Sequence, residues 1–144
     1  MDFYEDLVFR YAITILSEKP EGKLLIHPQF HVSKDLQGDS WSADIDFLFL
    51  NLNKQIIYLV EVTSSSAKPE KIKIKLQHDY RTIVESYVKN DFIPTKLKNH
   101  EWKIVWQVYV RSRHIEWLKK EVGMDAVEFI SIESVLDEIK ERLK

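Results

Sequence analysis

Three acidic side chains in two neighbouring apolar stretches are the residues best suited to chemistry. Asp44 and Asp46 stand in "WSADIDFLFLNL", and Glu61 interrupts "IIYLVEVTSSS". Because side chains alternate between the faces of a strand, we expect Asp44 and Asp46 to share one face, opposite Ile45 and Phe47. If the two stretches form an antiparallel hairpin, the end of the second strand lies beside the start of the first. The pattern therefore predicts that three carboxylates converge.

Converging carboxylates need compensation, because repulsion and loss of hydration both raise their pKa values. Mg²⁺ or Mn²⁺ would provide it, since both ions favour carboxylate oxygens and water. Such a site can activate water and stabilise the charge of a phosphodiester transition state. The alternative is that Asp44 and Asp46 lie at the exposed mouth of the strand while Glu61 pairs with a lysine.

The composition argues against several other kinds of site. The chain has no cysteine, which excludes disulfides, thiolate zinc sites and cysteine nucleophiles. Its five histidines lack the close spacing of a zinc motif, and its three glycines form no phosphate-binding loop. Any bound metal should therefore be a hard cation held by carboxylates.

Charge is distributed unevenly along the chain. Residues 64–120 contain 13 Lys and Arg against 6 Asp and Glu, although the whole chain has a formal charge of −2. This asymmetry predicts either a basic surface that meets a phosphate backbone or ordinary solvated helix faces. The first residues are acidic and no apolar run reaches about 18 residues, so we expect no membrane contact, no export and a cytoplasmic location.

The elements that must position the acids follow from hydrophobic periodicity and turn residues. The pattern predicts the order α-β-β-β-α-β-α-β-α in a single α/β domain spanning residues 1–144, with a mixed sheet flanked by helices. Pro28 predicts an edge position or a bulge for the first strand, and "SKDLQGDS" after it is predicted as a polar loop. One helix is predicted over "KIKIKLQHDYRTIVESYVKN". Ser112 and Ser131 are expected to cap the last two helices, and Gly123 to end the first of these.

The stretch "ADIDFLFLNLNKQIIYLVEVT" resembles the central hairpin of the PD-(D/E)xK nuclease superfamily, particularly its RecB-type and Holliday-junction-resolvase-like members. The resemblance implies a restriction-endonuclease-like αβββαβ core, here extended by a C-terminal α-β-α segment. It implies Asp46 as the metal ligand of the second strand, with Asp44 as the alternate register, and Glu61 as the ligand of the third strand. Glu5, in the first helix, corresponds to an acid that many members add.

The resemblance departs from the family pattern at one position. Thr63 stands where the family has its motif lysine, and a hydroxyl cannot supply a positive charge beside the scissile phosphate. In some members the lysine has moved, and Lys73 is the candidate here, four residues before Gln77 on the expected helix face. Gln77, in "KLQHDY", is similar to a glutamine of RecB-type members. The alternative is a degenerate site in a fold that only binds.

These observations lead to three functional hypotheses. The first is a Mg²⁺- or Mn²⁺-dependent deoxyribonuclease that hydrolyses phosphodiester bonds, with DNA favoured over RNA. Asp46, Glu61, Lys73 and Gln77 would then act in catalysis. The second is a catalytically silent module of the same fold that binds nucleic acid or a protein partner. The third is an unrelated α/β interaction domain whose acids are surface residues, and it predicts no stabilisation by divalent metal. The sequence does not fix the oligomeric state, and a homodimer remains one alternative.

Overall fold

A five-stranded mixed sheet with helices on both faces forms the framework of this protein. The computed structural model describes residues 2–18, 24–64, 66–93 and 101–143. Within these residues the strands are β1 (Leu24–Leu36), β2 (Asp39–Asn51), β3 (Ile56–Val62), β4 (Lys103–Val110) and β5 (Val127–Ser131). The α-helices there are α1 (Phe3–Thr14), α2 (Glu70–Lys75), α3 (His78–Tyr87), α4 (Ile115–Val122) and α5 (Ile132–Arg142). None of these helices combines the length and the apolar character needed to cross a bilayer.

The strands lie side by side in chain order. β1, β2 and β3 are antiparallel neighbours, whereas β4 runs parallel to β3 and β5 parallel to β4. The parallel pairs require crossover connections, which the helices after β3 and β4 provide. β1 is an edge strand, as its internal Pro28 predicts. The mixed sheet and the predicted order of its strands are confirmed, and the order of the helices differs from the prediction only after β3.

Two apolar clusters cover the two faces of the sheet. On one face, Leu59 and Trp106 pack with Ile72 of α2, Val84 of α3 and Leu118 of α4. On the other face the packed residues come from three strands and from helices α1 and α5: Phe47, Phe49, Val60, Tyr109, Val8, Ala12 and Ile132. β3 lies at the centre of this arrangement, so its side chains are buried on both faces.

The first hairpin is longer and tighter than the sequence indicates. The polar segment predicted as a loop continues both strands, and Leu36 pairs with Asp39 across a two-residue turn. Gln37 and Gly38 occupy this turn with φ of 52° and 89°. Positive φ at both central positions matches the twist of the flanking strands, but glutamine is not a residue that signals it.

The single helix predicted after β3 is two helices. α2 ends at Lys75, Gln77 is extended with ψ of 153°, and α3 begins at His78. Val88–Phe92 then forms a π-helical turn that continues α3. The break lets α2 and α3 lie at different angles to the sheet, so helical spacing across Leu76 and Gln77 does not place residues on a common face.

The C-terminal elements largely follow the prediction. Gly123, with φ of 89°, terminates α4, and the Ser131 hydroxyl accepts a hydrogen bond from the Ser134 amide at the start of α5. The prediction for Ser112 is wrong. This serine begins a 3₁₀ turn, Ser112–His114, that precedes α4, and its amide and hydroxyl donate to Glu133.

Candidate active site

A pocket of about 640 Å³ lies at the C-terminal end of β3 and is lined by four acidic residues, Glu5, Asp46, Glu61 and Glu70. Helix α1 approaches from one face of the sheet and α2 from the other. Asp2 caps α1 by accepting a hydrogen bond of 2.8 Å from the Glu5 amide, which fixes the first turn of this helix. Helix capping therefore helps to hold the acid of α1 over the end of the central strand.

Asp46 reaches the pocket because strand alternation breaks at this residue. Pro28 pairs with Phe47 and Phe30 with Ile45, but the expected pair between Gln29 and Asp46 is missing, and Gln29 has a φ of 53°. As a result Ile45 and Phe47 pack on opposite faces of the sheet, where regular alternation predicts a common face.

One hydrogen bond fixes the Asp46 carboxylate. Its Oδ2 accepts a hydrogen bond of 2.8 Å from the amide of Val62, the residue that follows Glu61. The main chain of β3 thus orients one acid toward the other.

Asp44, the alternate register, does not join this group. Its side chain is 83% exposed, and its Oδ1 lies 2.7 Å from His31 Nδ1 on β1. The expected convergence of all three hairpin acids is therefore limited to Asp46 and Glu61. The main-chain carbonyl of Asp44 still faces the site, where it accepts a hydrogen bond from Lys75.

Glu61 is the most buried of the acids. Only 2% of its surface is exposed, although it lies within an otherwise apolar strand. Burial raises its pKa well above the ordinary value, and the neighbouring Asp46 raises the pKa further, while Lys75 opposes both effects. A carboxyl group in this environment gains from any cation that approaches it.

Lys75 supplies the positive charge at the site. Its Nζ lies 3.0 Å from Glu61 Oε1 and 2.9 Å from the main-chain oxygen of Asp44, so it bridges β2 and β3. Partial burial acts to lower the pKa of Lys75, but the Glu61 carboxylate outweighs it and the net pKa is raised. The ammonium group therefore stays charged at neutral pH. Lys75 of α2 thus places a positive charge beside Glu61, the role that was expected of Lys73.

Lys73 and Gln77 are placed differently from the prediction. Lys73 Nζ lies 3.2 Å from Glu121 of α4 and 5.8 Å from the centre of the Trp117 ring, away from the acids. Gln77 is exposed in the break between α2 and α3 and lines another cavity, next to His78. Both expectations relied on one continuous helix.

The sequence contained a signal for Lys75. Ile72 and Leu76 are buried, and Lys75 lies three residues after Ile72, so it falls on the apolar stripe of α2. A lysine on a buried stripe requires a partner. Tyr80 lies near the same charges. Burial raises the pKa of Tyr80, Lys75 opposes this rise, and Glu61 raises the pKa further. Its ring packs 5.2 Å from that of Trp41.

The donor chemistry of the pocket suits a hard divalent cation. Burial and Asp46 raise the pKa of Glu5 as well, so two of the four acids of the pocket, Glu5 and Glu61, carry the electrostatic cost that a cation relieves. Mg²⁺ often uses one or two carboxylates and completes its coordination with water and substrate oxygens. Within the described ranges no three His, Cys, Asp or Glu side chains form a ready-made metal cage. Asp46 and Glu61 fit a site in which two carboxylates bind the ion and water and substrate oxygens complete its coordination.

Comparisons with models of protein families and with curated proteins find no match to this chain.

Proposed function

We propose that this protein is a metal-dependent nuclease of the PD-(D/E)xK type that hydrolyses phosphodiester bonds in DNA. The observation that carries the proposal is the contact of Lys75 with Glu61 beside Asp46 in one pocket. Two acids and a lysine at the end of the third strand are the groups that this chemistry needs. The element order α1-β1-β2-β3-α2/α3-β4 supports the proposal, because it matches the αβββαβ core of that superfamily.

Each residue has a separate role in the proposed reaction. Asp46 and Glu61 would hold Mg²⁺ or Mn²⁺, and Glu5 would orient water next to them. A bound divalent ion supplies positive charge beside the phosphate and makes a water molecule more acidic. Lys75 would turn its ammonium group toward a non-bridging phosphate oxygen and stabilise the charge that develops there. The Asp44 carbonyl retains one hydrogen bond to Lys75 and so keeps the ammonium in place.

A cleavage assay tests this proposal. Labelled single-stranded, double-stranded and branched DNA would be incubated with Mg²⁺ or Mn²⁺ and with the wild type, Glu61→Gln, Lys75→Met or Lys140→Met. We expect metal-dependent cutting that falls at least about 100-fold in Glu61→Gln and in Lys75→Met, as when one group that stabilises transition-state charge is removed. Lys140→Met, which removes an exposed lysine of α5, is the control and should retain activity within a few-fold. Absence of metal-dependent cutting by a folded wild type would refute the proposal.

One observation favours a second candidate, a silent module of the same architecture. Thr63 stands at the position of the motif lysine, and Lys75 already engages a Glu61 oxygen at 3.0 Å. An ion pair of this kind could be a structural replacement for a lost metal. This candidate predicts binding to nucleic acid or protein with no cutting under any metal.

A further inference from the structure

A group of basic side chains surrounds Trp117 next to the acid pocket. Lys68 Nζ lies 5.4 Å from the centre of the Trp117 ring, and Lys73 Nζ lies 5.8 Å from it. A cation over an indole face is attracted by the π electrons, so the ring holds both ammonium groups near α4. Lys68 also lines the acid pocket, together with Lys71. The pocket and the environment of Trp117 are therefore one continuous surface.

Arg113 extends this surface toward the start of α4. It stands four residues before Trp117, about one helical turn, and its Nη2 donates a hydrogen bond of 2.7 Å to the main-chain oxygen of Ser66. This bond ties the segment before α2 to the 3₁₀ turn before α4. A guanidinium group has five N–H donors, so the side chain can bind a phosphate while it keeps this contact. We call Lys68, Lys71, Lys73, Arg113 and Trp117 the α2–α4 basic surface.

Acidic side chains compensate only part of this charge. Lys73 pairs with Glu121, but among the described residues Lys68, Lys71 and Arg113 form no salt bridge. Lys68, Lys71 and Arg113 thus remain available on the α2–α4 basic surface, and Glu70 is an acidic residue that shares the pocket rim with the two lysines. Positive charge at the pocket rim and before α4 complements the negative charge of a phosphate backbone.

We infer that the α2–α4 basic surface binds the phosphate backbone of a nucleic-acid strand that runs from the acid pocket across α2 to the start of α4. The inference rests on the proposed function for the identity of the ligand, because a scissile phosphate in the pocket must continue into flanking phosphates. Lys68 and Lys71 lie at the rim, where the first flanking phosphate would leave the pocket. Arg113 lies farther along and would fix the direction of the strand.

Binding without cleavage tests this inference. Fluorescence anisotropy of labelled single-stranded and double-stranded DNA would be measured in EDTA over a range of salt concentrations. The test variant is Lys68→Gln/Arg113→Gln. We expect about tenfold weaker binding at low salt. The plot of log K against log salt should also become shallower by about 2, one for each phosphate contact removed.

Two controls separate charge from folding. Lys54→Gln/Lys140→Gln removes the same charge from the β2–β3 turn and from α5, and should bind like the wild type. Lys68→Arg/Arg113→Lys keeps the charge and should restore binding. Three outcomes would each overturn the inference. Lys68→Gln/Arg113→Gln could bind DNA as tightly as the wild type, or Lys68→Arg/Arg113→Lys could lose as much affinity as Lys68→Gln/Arg113→Gln. The third outcome is that the wild type binds no DNA. Equal competition by a polyglutamate of similar length would also overturn it, because the surface would then accept any polyanion.

The outcomes distinguish this inference from the proposed function. Binding that depends on Lys68 and Arg113, together with no cleavage under any metal, would support the α2–α4 basic surface and reject the nuclease. Cleavage that depends on Glu61, together with binding indifferent to Lys68 and Arg113, would support the nuclease and reject this path of the strand.

Discussion

Glu61 is almost fully removed from water, and its described basic partner is the ammonium of Lys75 at 3.0 Å. Removing that partner leaves a buried carboxyl group without its counter-charge, which is costly even though Lys75 itself is 25% exposed. We predict that Lys75→Met lowers the free energy of unfolding by about 2 kcal/mol, less than for a fully buried pair. Urea unfolding in EDTA at neutral pH measures this change.

A double-mutant cycle shows whether the contact itself is responsible. Glu61→Gln/Lys75→Met should be more stable than Lys75→Met alone, because the amide carries no charge that needs a partner. Lys73→Met serves as the control for losing a lysine of α2 that pairs at the surface. If the loss of unfolding free energy in the double variant equals the sum of the losses in the two single variants, the contact does not couple the residues energetically.

At the residue scale, the sequence predicts that Asp46 and Glu61 lie together, but it does not predict that Lys75 is their basic partner. An isolated glutamate in "YLVEVT" is conspicuous, and hairpin pairing brings it near the start of the preceding strand. The separation of Asp44 from Asp46 depends on the positive φ of Gln29. Pro28 predicts an irregularity in this strand, but glutamine itself does not signal a positive φ. The choice between Lys73 and Lys75 depends on where α2 ends. Without proline or glycine at the break, the sequence does not mark that end.

At the scale of elements, one contact ties the turn before α4 to the start of α5. Glu133 accepts hydrogen bonds from the Ser112 amide and hydroxyl and from Arg111. Slight burial acts to raise the pKa of Glu133, but these donors outweigh it and the net pKa is lowered. A lowered folded-state pKa stabilises the protein above the unfolded value of 4.5, and this contribution is lost as the pH falls through the folded value.

We therefore predict that Glu133→Gln lowers Tm by about 1–2 °C at pH 7, a small effect because the side chain is partly exposed. The difference from the wild type should become smaller at pH 3, because the carboxyl group loses its charge as the pH falls through the folded-state pKa. Thermal unfolding followed by circular dichroism at the two pH values tests this, with Asp137→Asn as a control on the same helix. A difference that persists unchanged at the lower pH would show that charge is not responsible.

The elements themselves were predictable where apolar periodicity and special residues agree. Gly123 and Ser131 mark the ends of helices by chemistry that acts locally, and the structure confirms both. The turn at Gln37 and Gly38 was missed because the parts of both strands next to it, residues 33–36 and 39–42, are mostly polar and little buried. Pairing with β2, rather than local residue preference, keeps that part of β1 extended.

At the scale of the whole molecule, the charge asymmetry of the sequence corresponds in part to the two faces of the sheet: α2, α3 and α4 carry 6 Lys and Arg against 5 Asp and Glu, whereas α1 and α5 carry 3 against 6. The basic segment 64–120 contains α2, α3 and α4, which pack on one face, while α1 and α5 pack on the other. The acid pocket lies where both layers meet the end of β3. A nucleic-acid strand bound to the α2–α4 basic surface would thus reach the carboxylates of the pocket without crossing α1 and α5.

A ligand that binds only the folded protein stabilises the whole molecule, so metal binding can be measured without activity. We predict that 10 mM Mg²⁺ or Mn²⁺ raises Tm by about 3–5 °C, the shift expected for a site with a Kd of about 1 mM in a chain of this size. Asp46→Asn and Glu61→Gln should abolish the shift, because each removes one of the two carboxylates that fit the ion. Asp137→Asn, on α5, should keep it. A shift of equal size in all four proteins would assign the ion to another part of the surface and remove the metal from the proposed chemistry.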